Sequence, residues 1–388
     1  MDTGTERQMM HKAVASKREL ALPYVRSYGP CLLVLLAVFL YGPWLAIVKA
    51  EDPNIGDRIG IDIHQHSDGG MLDLVAGSGM GWVRVDFGWS SFEPAKGNFN
   101  WTVLDEVVTQ ARARGLNIYA TIGGTPAWAT DGNIGDGVPR NVSDWTSAVT
   151  AAVNRYGNDI QHWGIWNEPN AGSFWTGSRQ EFIDVIVKPG ADAIHAANPN
   201  AKVLGPELAY FVSTGRTWYV WMEDILTQAS GKLDIISHHT YPRPLAGSYT
   251  TMTGQLNNTT LFGSNPDMWG AFGIHPSLRE VLRELNWTGD VWLTEFGWRT
   301  TDMSEQQIAD NYTGLFNDWL TSHPERDWID KFFLYHSEPD EYGIFNPDGS
   351  PRQAYFAIED FINSQIPEPA TLGLLVLGAL TLLCRRRK

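Results

Sequence analysis

The sequence predicts an α/β fold, a single (β/α)8 TIM barrel spanning residues 51–364 of a 388-residue chain. Eight short β-rich runs alternate with helical patterns, and no Pro/Ser/Gly-rich linker divides them. The body's length suits one large barrel as well as two small domains, so the pattern decides, and 43% hydrophobic residues suffice to bury a sizeable core.

The eight runs are 58–64, 82–89, 117–122, 160–166, 202–206, 233–239, 291–295 and 331–335. Helix starts stand between several of them: Ser178 with Glu181, Ser304 with Gln307, and Thr102 with Asp105 each have the spacing of a reciprocal cap. Val103, Leu104, Val107, Val108 and Ala111 make one apolar stripe, which Gly115 closes. The longest irregular stretch, 243–269, follows the sixth run. A barrel puts that stretch on its catalytic face, either walling a cleft or hanging there as an insertion without contact to ligand.

Both ends read as addresses. Lys17, Arg18 and Arg26 precede an apolar segment, 31–48, and Val48-Lys49-Ala50 offers a small-residue exit, so residues 1–50 are expected to be a signal or anchor segment. At the other end Pro367-Glu368-Pro369 leads into apolar residues up to Cys384 and then Arg385-Arg386-Arg387-Lys388. That order resembles the PEP-CTERM sorting signal of Gram-negative bacteria that make exopolysaccharide, assigned to residues 365–388. The resemblance implies export to the periplasm, envelope or exterior, and processing by an exosortase. Contact with a membrane is expected only through the terminal segments, with a transmembrane helix as the form it takes.

Charge and cysteine exclude several functions. The net charge of −15 understates the acidity of the body, because basic clusters sit at both ends, and this argues against a nucleic-acid partner. The two cysteines, Cys31 and Cys384, both lie in the terminal segments, so the body has no disulfide framework, zinc-cysteine site or cysteine nucleophile.

Active sites of such barrels form where strands stop. The fourth run ends with Asn167 and Glu168 before Pro169, and the seventh ends with Glu295. Strand alternation is expected to set Glu295 on the face of Val291 and Leu293, inside the barrel. Strands four and seven lie nearly opposite each other, so the two carboxylates can approach across the mouth at the roughly 5–5.5 Å that double displacement at a glycosidic bond requires. His64 and His66 share a face, but no third ligand is apparent, and neither metal nor cofactor is expected. His64 is read as a sugar contact or a structural group. His238 alternates away from the mouth and is read as a hydrogen-bonded core histidine. Among 17 tryptophans, Trp89, Trp128, Trp166, Trp175 and Trp298 stand at or just past strand ends, as candidates to stack on sugar rings.

Trp166-Asn167-Glu168-Pro169-Asn170 and Thr294-Glu295-Phe296-Gly297 resemble the acid/base and nucleophile motifs of glycoside hydrolase clan A. Residues 82–101, the Phe174-Trp175 pair and the segment from Tyr342 lean toward family 39, with family 5 less similar. The resemblance implies a retaining glycosidase with Glu168 as general acid/base and Glu295 as nucleophile. It further implies Asn167 on the sugar 2-hydroxyl, Arg84 holding Glu295 ionised, Tyr241 bonded to the nucleophile and His239 lining the subsite. At strand eight Leu334 stands where relatives often carry a tryptophan. The expected substrate is a β-linked polysaccharide; the alternatives are a surface polysaccharide-binding protein without turnover and a transglycosylase remodelling exopolysaccharide.

Overall fold

The computed structural model describes residues 54–365 apart from 66–67, 131–134, 214, 259 and 263–272. Both terminal segments, with their expected leader and sorting signal, and His66 lie outside the described residues. Among the described residues no helix is long and apolar enough to cross a membrane.

Strands β1 (Ile59–Asp62), β2 (Trp82–Gly88), β3 (Asn117–Gly123), β4 (His162–Ile165), β5 (Lys202–Leu208) and β6 (Ile235–His239) follow one another around the ring. A short antiparallel hairpin, β7 (Thr260–Phe262) and β8 (Gly273–His275), stands outside it. Then β9 (Asp290–Phe296) pairs with β6, and β10 (Lys331–Leu334) closes onto β1. All eight barrel pairings are parallel, as in the TIM barrel fold. Each of the eight β-rich runs supplies one barrel strand.

The helices are placed by the signals that start them, with three corrections. Ser178 and Ser304 form reciprocal caps with Glu181 and Gln307. Thr102 does not: it is already helical, and Asp105 instead accepts hydrogen bonds from Arg155 and Tyr156. On that helix Leu104, Val107, Val108 and Ala111 are buried, while Val103 is half exposed. The stretch 243–269 is not irregular throughout, since Tyr249–Asn257 is a helix anchored by Met252 and Leu256. Its many Thr, Gly and Asn residues hide a single apolar i, i+4 pair.

The barrel interior has two levels. At the N-terminal end Trp82, Tyr119, Leu204, Ile235, Trp292 and Phe333 form an apolar plug. The His162 ring stacks on Trp292 with centroids 4.9 Å apart and meets Trp82 edge-on at 5.0 Å. Two residues further along β2, β3 and β6 the inward positions turn polar, to Arg84, Thr121 and Ser237, all buried. The plug excludes water beneath these groups, so their mutual hydrogen bonds act in a medium of low polarity.

Truncating the plug should therefore cost stability. Phe333→Ala is expected to destabilise the protein by about 3–5 kcal/mol in urea unfolding, whereas Val103→Ala should stay within about 0.5 kcal/mol.

Candidate active site

A cavity of about 750 Å³ opens at the C-terminal ends of the strands. Four of the five described non-glycine residues with positive φ stand at this end: His64 (50°), Trp166 (69°), Glu168 (42°) and Glu207 (54°). This left-handed backbone costs energy for residues other than Gly, and here it turns polar side chains toward one point.

At that point lies Arg84, 1% exposed. Its Nε donates to Thr121 at 3.1 Å, one Nη1–H to Asp62 and the other to Glu295 Oε1 at 2.7 Å. Nη2 donates to Asn167 Oδ1 at 2.9 Å and Glu207 Oε2 at 3.1 Å. All five guanidinium N–H groups are thus used. Asp62, Glu207 and Glu295 together raise its pKa against the opposing effect of burial.

Glu295 reaches the mouth by a different route from simple alternation. Trp292 is the inward residue of β9, and Val291 and Leu293 face the helices. The register of β9 then slips: Leu293 pairs with His238, but Glu295 pairs with His239. This bulge resets the phase and turns Glu295 inward. Besides Arg84, the Tyr241 hydroxyl donates to its Oε2 at 3.0 Å. Burial pushes the Glu295 carboxyl up to about 7, against the opposing pull of His239 and Arg84.

Glu168 is half-buried, and its backbone N–H donates to Glu207 O at 2.9 Å. His239 is fully buried, so it does not line the cavity; it sits beneath the carboxylates. Its Nδ1 is 3.1 Å from Glu168 Oε1 and 3.3 Å from Glu295 Oε2. One oxygen of Glu168, one of Glu295 and a ring nitrogen of His239 all lie within 4.8 Å of one another. Burial opposes protonation of His239, but Glu295, Glu168 and Glu207 carry it up to about 10. His238 turns outward against Trp218 and Tyr210, and burial depresses it to about 3. Neither of its ring nitrogens has a hydrogen-bond partner among the described residues.

On the other wall the His64 Nδ1 lies 2.8 Å from Asp86 Oδ2 and its Nε2 lies 3.0 Å from His336 Nδ1. Burial opposes its protonation too, but Asp86 and Asp62 raise it to about 9. Asp62, His64 and Asp86 also place ligand-capable atoms within 4.8 Å of one another, but Arg84 is bonded to Asp62 and supplies the positive charge there.

The expected tryptophan platforms are mostly elsewhere. Trp89, Trp175 and Trp298 are buried, with indole N–H groups donated to Glu93, Ser178 O and Gly247 O. Trp128 is half-buried and donates to Glu93 O. None of these four lines the cavity, whereas Trp166 does. Its aromatic wall otherwise comes from Phe174, Tyr210, Phe211, Tyr241, Tyr335 and Tyr342. Phe174, not its neighbour Trp175, faces the opening and is 40% exposed. At β10, Phe333 belongs to the plug and Leu334 packs outward, so the aromatic at the mouth is Tyr335. From the 243–269 stretch, Arg243 and Leu245 line the cavity. Sequence reasoning missed Glu207, Asp62 and Asp86, although each is a carboxylate at or near the end of an apolar strand.

The closed parallel barrel thus brings two neighbouring glutamates, an arginine clamp and an aromatic wall together at the C-terminal ends of its strands. Residues 81–264 match the model for Glycosyl hydrolases family 39, and residues 365–388 match the PEP-CTERM protein-sorting motif. The first match takes in a little under half of the chain, and the second is to a C-terminal motif that implies export and cell-surface sorting. A beta-xylosidase from Caldicellulosiruptor saccharolyticus is 30% identical over 118 residues, covering 28% of this chain and 23% of that protein. One from Geobacillus stearothermophilus is 22% identical over 159 residues, covering 37% and 31%. The chain thus matches less than a third of the length of these relatives. Among solved structures, a family 39 glycoside hydrolase from Bacteroides cellulosilyticus WH2 superposes with TM-score 0.61 at 18% identity, covering 80% of this chain and 65% of that one. A GH39 beta-xylosidase from Caulobacter crescentus gives 0.58 at 15% identity, covering 81% and 72%. At these identities the structures establish the shared fold alone.

The buried charges make stability depend on pH. His64 and His239 have folded values of about 9 and about 10, above 6.5 for a free imidazole, so the folded state holds these protons more tightly. That stabilisation is complete below about pH 6.5 and is lost as pH climbs through the folded values. Glu295, raised from 4.5 to about 7, adds a decline between those values. Below about pH 6.5 the depressed His238 and His162, about 3 and about 4, act in the opposite sense, so the urea midpoint should fall only as pH rises from about 6.5 to about 10, and His64→Gln should flatten the part between about 6.5 and 9.

Proposed function

We propose that the protein is an exported retaining glycoside hydrolase acting on a β-linked polysaccharide, with Glu295 as nucleophile and Glu168 as general acid/base. The observation that carries this reading is the approach of Glu168 and Glu295 oxygens to within 4.8 Å at the floor of the cavity. That spacing is shorter than the roughly 6.5–9.5 Å of the inverting pattern, and suits direct attack by one carboxylate on the anomeric carbon.

The asymmetry of the two groups sets the roles. Glu295 receives Arg84 N–H and Tyr241 O–H, contacts that orient a carboxylate and hold its negative charge. Glu168 is more open to the cavity, where it can protonate a leaving oxygen and later deprotonate water. Asn167 spends its Oδ1 on Arg84, which leaves its amide N–H groups to donate to a sugar hydroxyl. His64, Asp86 and the aromatic wall would hold the ring through hydroxyl bonds and C–H contacts. The matched beta-xylosidases make a β-linked pentose polymer one substrate to assay first, beside the host's own exopolysaccharide. Residues 51–364 are the proposed working body. The sorting motif supports a location at the envelope or outside a Gram-negative cell after exosortase cleavage.

Azide separates the two carboxylates. In Glu295→Ala no glycosyl-enzyme forms, so azide should attack the substrate directly and give the inverted glycosyl azide. In Glu168→Ala an activated aryl β-glycoside still loads Glu295, so azide should give the retained product. NMR of the products reads both outcomes; exchanged stereochemistry, or near-normal activity of either variant on polysaccharide, would overturn the roles. Processing has its own readout: the intact mass of the exported protein should lack Arg385 to Lys388, and a mass that retains them would indicate a tail anchor.

A further inference from the structure

Glu207 is a third buried carboxylate that the double-displacement mechanism does not use. It is 0% exposed, stands in a left-handed backbone conformation with φ of 54°, and occupies a register slip on β5 between Pro206 and Leu208. Without that slip, alternation from inward Leu204 would turn it toward the helices. A buried carboxylate reached through strained backbone needs compensation, and its contacts are with the machinery itself. Its Oε2 accepts from Arg84 Nη2 at 3.1 Å and lies 3.1 Å from His239 Nε2. Its carbonyl accepts the Glu168 N–H.

Consider His239 from all sides. Glu207 faces Nε2, while Glu168 and Glu295 face Nδ1. Carboxylates accept hydrogen bonds and, when ionised, cannot donate, so both ring nitrogens are matched only when both carry hydrogen. Asp86 and His238 also interact electrostatically with the ring, and Arg84 and Tyr241 share its carboxylate partners. Arg84 already divides its donors among Glu207, Glu295, Asp62, Asn167 and Thr121, and it reaches His239 only through these acceptors.

Resting on the assignment of Glu168 and Glu295 as the catalytic pair, we propose that Glu207 is a positioning residue that holds His239 as an imidazolium, its Nε2–H on Glu207 and its Nδ1–H toward the pair. The cation then sits directly under the two carboxylates and offers them a donor, never an acceptor. With a neutral ring protonated at Nε2, Nδ1 becomes a lone pair aimed at Glu168. The acid's proton would then be drawn to the ring and away from the leaving oxygen. Gly164 marks the space this requires. A Cβ there would stand 2.7 Å from Glu207 Oε1 and closer still to the Tyr119 hydroxyl, so any side chain at the position crowds both groups.

The test compares the full-length wild type with Glu207→Gln, both labelled with ¹⁵N at histidine, with His239→Asn used to assign the ring signals. In the wild type both His239 nitrogens should remain protonated from pH 5 to 9. In Glu207→Gln the ring should titrate inside that window, at least tenfold more easily deprotonated, while Glu207→Asp, which keeps the charge, should recover part of the effect. On aryl β-glycosides, Glu207→Gln should lose at least tenfold more kcat with poor leaving groups than with dinitrophenolate, which needs no proton, and KM should change little. If Glu207→Gln fails to fold, Gly164→Ala should shift the His239 titration in the same direction by crowding the carboxylate. Equal His239 titration in wild type and variant, or an equal rate loss for good and poor leaving groups, would overturn the proposal. A wild type that turns over no glycoside at all, with the histidine shifts as expected, would overturn the enzymatic reading and leave the positioning of His239 standing.

Discussion

Everything at the mouth of this barrel depends on the buried guanidinium of Arg84. A cation taken this far from water is stable only when its donors are all met and its charge is balanced, and five acceptors from four strands and one strand end meet it. Those acceptors include three carboxylates, Asp62, Glu207 and Glu295, more negative charge than one arginine neutralises. Burial opposes a charge on His239, but Glu295, Glu168 and Glu207 raise its pKa, while burial raises that of Glu295 despite the arginine beside it. Removing the arginine would leave buried carboxylates facing one another, so the residue is a keystone of folding and of the site's electrostatics at once.

The lower half of the barrel makes this arrangement possible. The aromatic plug of Trp82, Trp292 and Phe333 fills the N-terminal end, and Lys331 lies over Trp82 and Trp292 at 4.7 and 5.4 Å from their ring centroids. With water excluded from below, the cavity is the open side of these charges among the described residues. A sugar filling that cavity would complete the exclusion and strengthen the hydrogen bonds that Glu295 accepts.

How far this could be read from the chain follows from what local pattern encodes. The eight strands were legible because each is an apolar run bounded by turn or helix signals, and Glu168 because it stands where the fourth run stops. The phase of a strand is less legible when a bulge resets it. Counting from Val291 and Leu293 arrives at Glu295 from residues that in fact face the helices, and the same counting on β5 sends Glu207 outward. A bulge is decided by pairing with neighbouring strands, so no local pattern in β5 or β9 announces it. The strand-eight aromatic is a similar case: β10 stops at Leu334, and one more inward step reaches Tyr335.

The tryptophans show why residue type alone is a poor guide to a carbohydrate surface. An indole can be buried whole if its single N–H finds an acceptor, and Trp89, Trp175 and Trp298 each have one within 3.0 Å. Once satisfied in this way, the ring is a large apolar body that is most stable between sheet and helices, which is where these three lie. The aromatic groups left at the cavity are tyrosines and phenylalanines beside a single indole, Trp166, whose N–H is itself donated to Phe174 O at 2.7 Å. That bond ties the indole to the segment carrying the exposed Phe174 ring, so β4 supplies Glu168 and braces the loop at the cavity's edge within ten residues of chain. A residue's place relative to the strand end, and the partner available to its polar atom, decide whether an aromatic group packs the scaffold or faces the ligand.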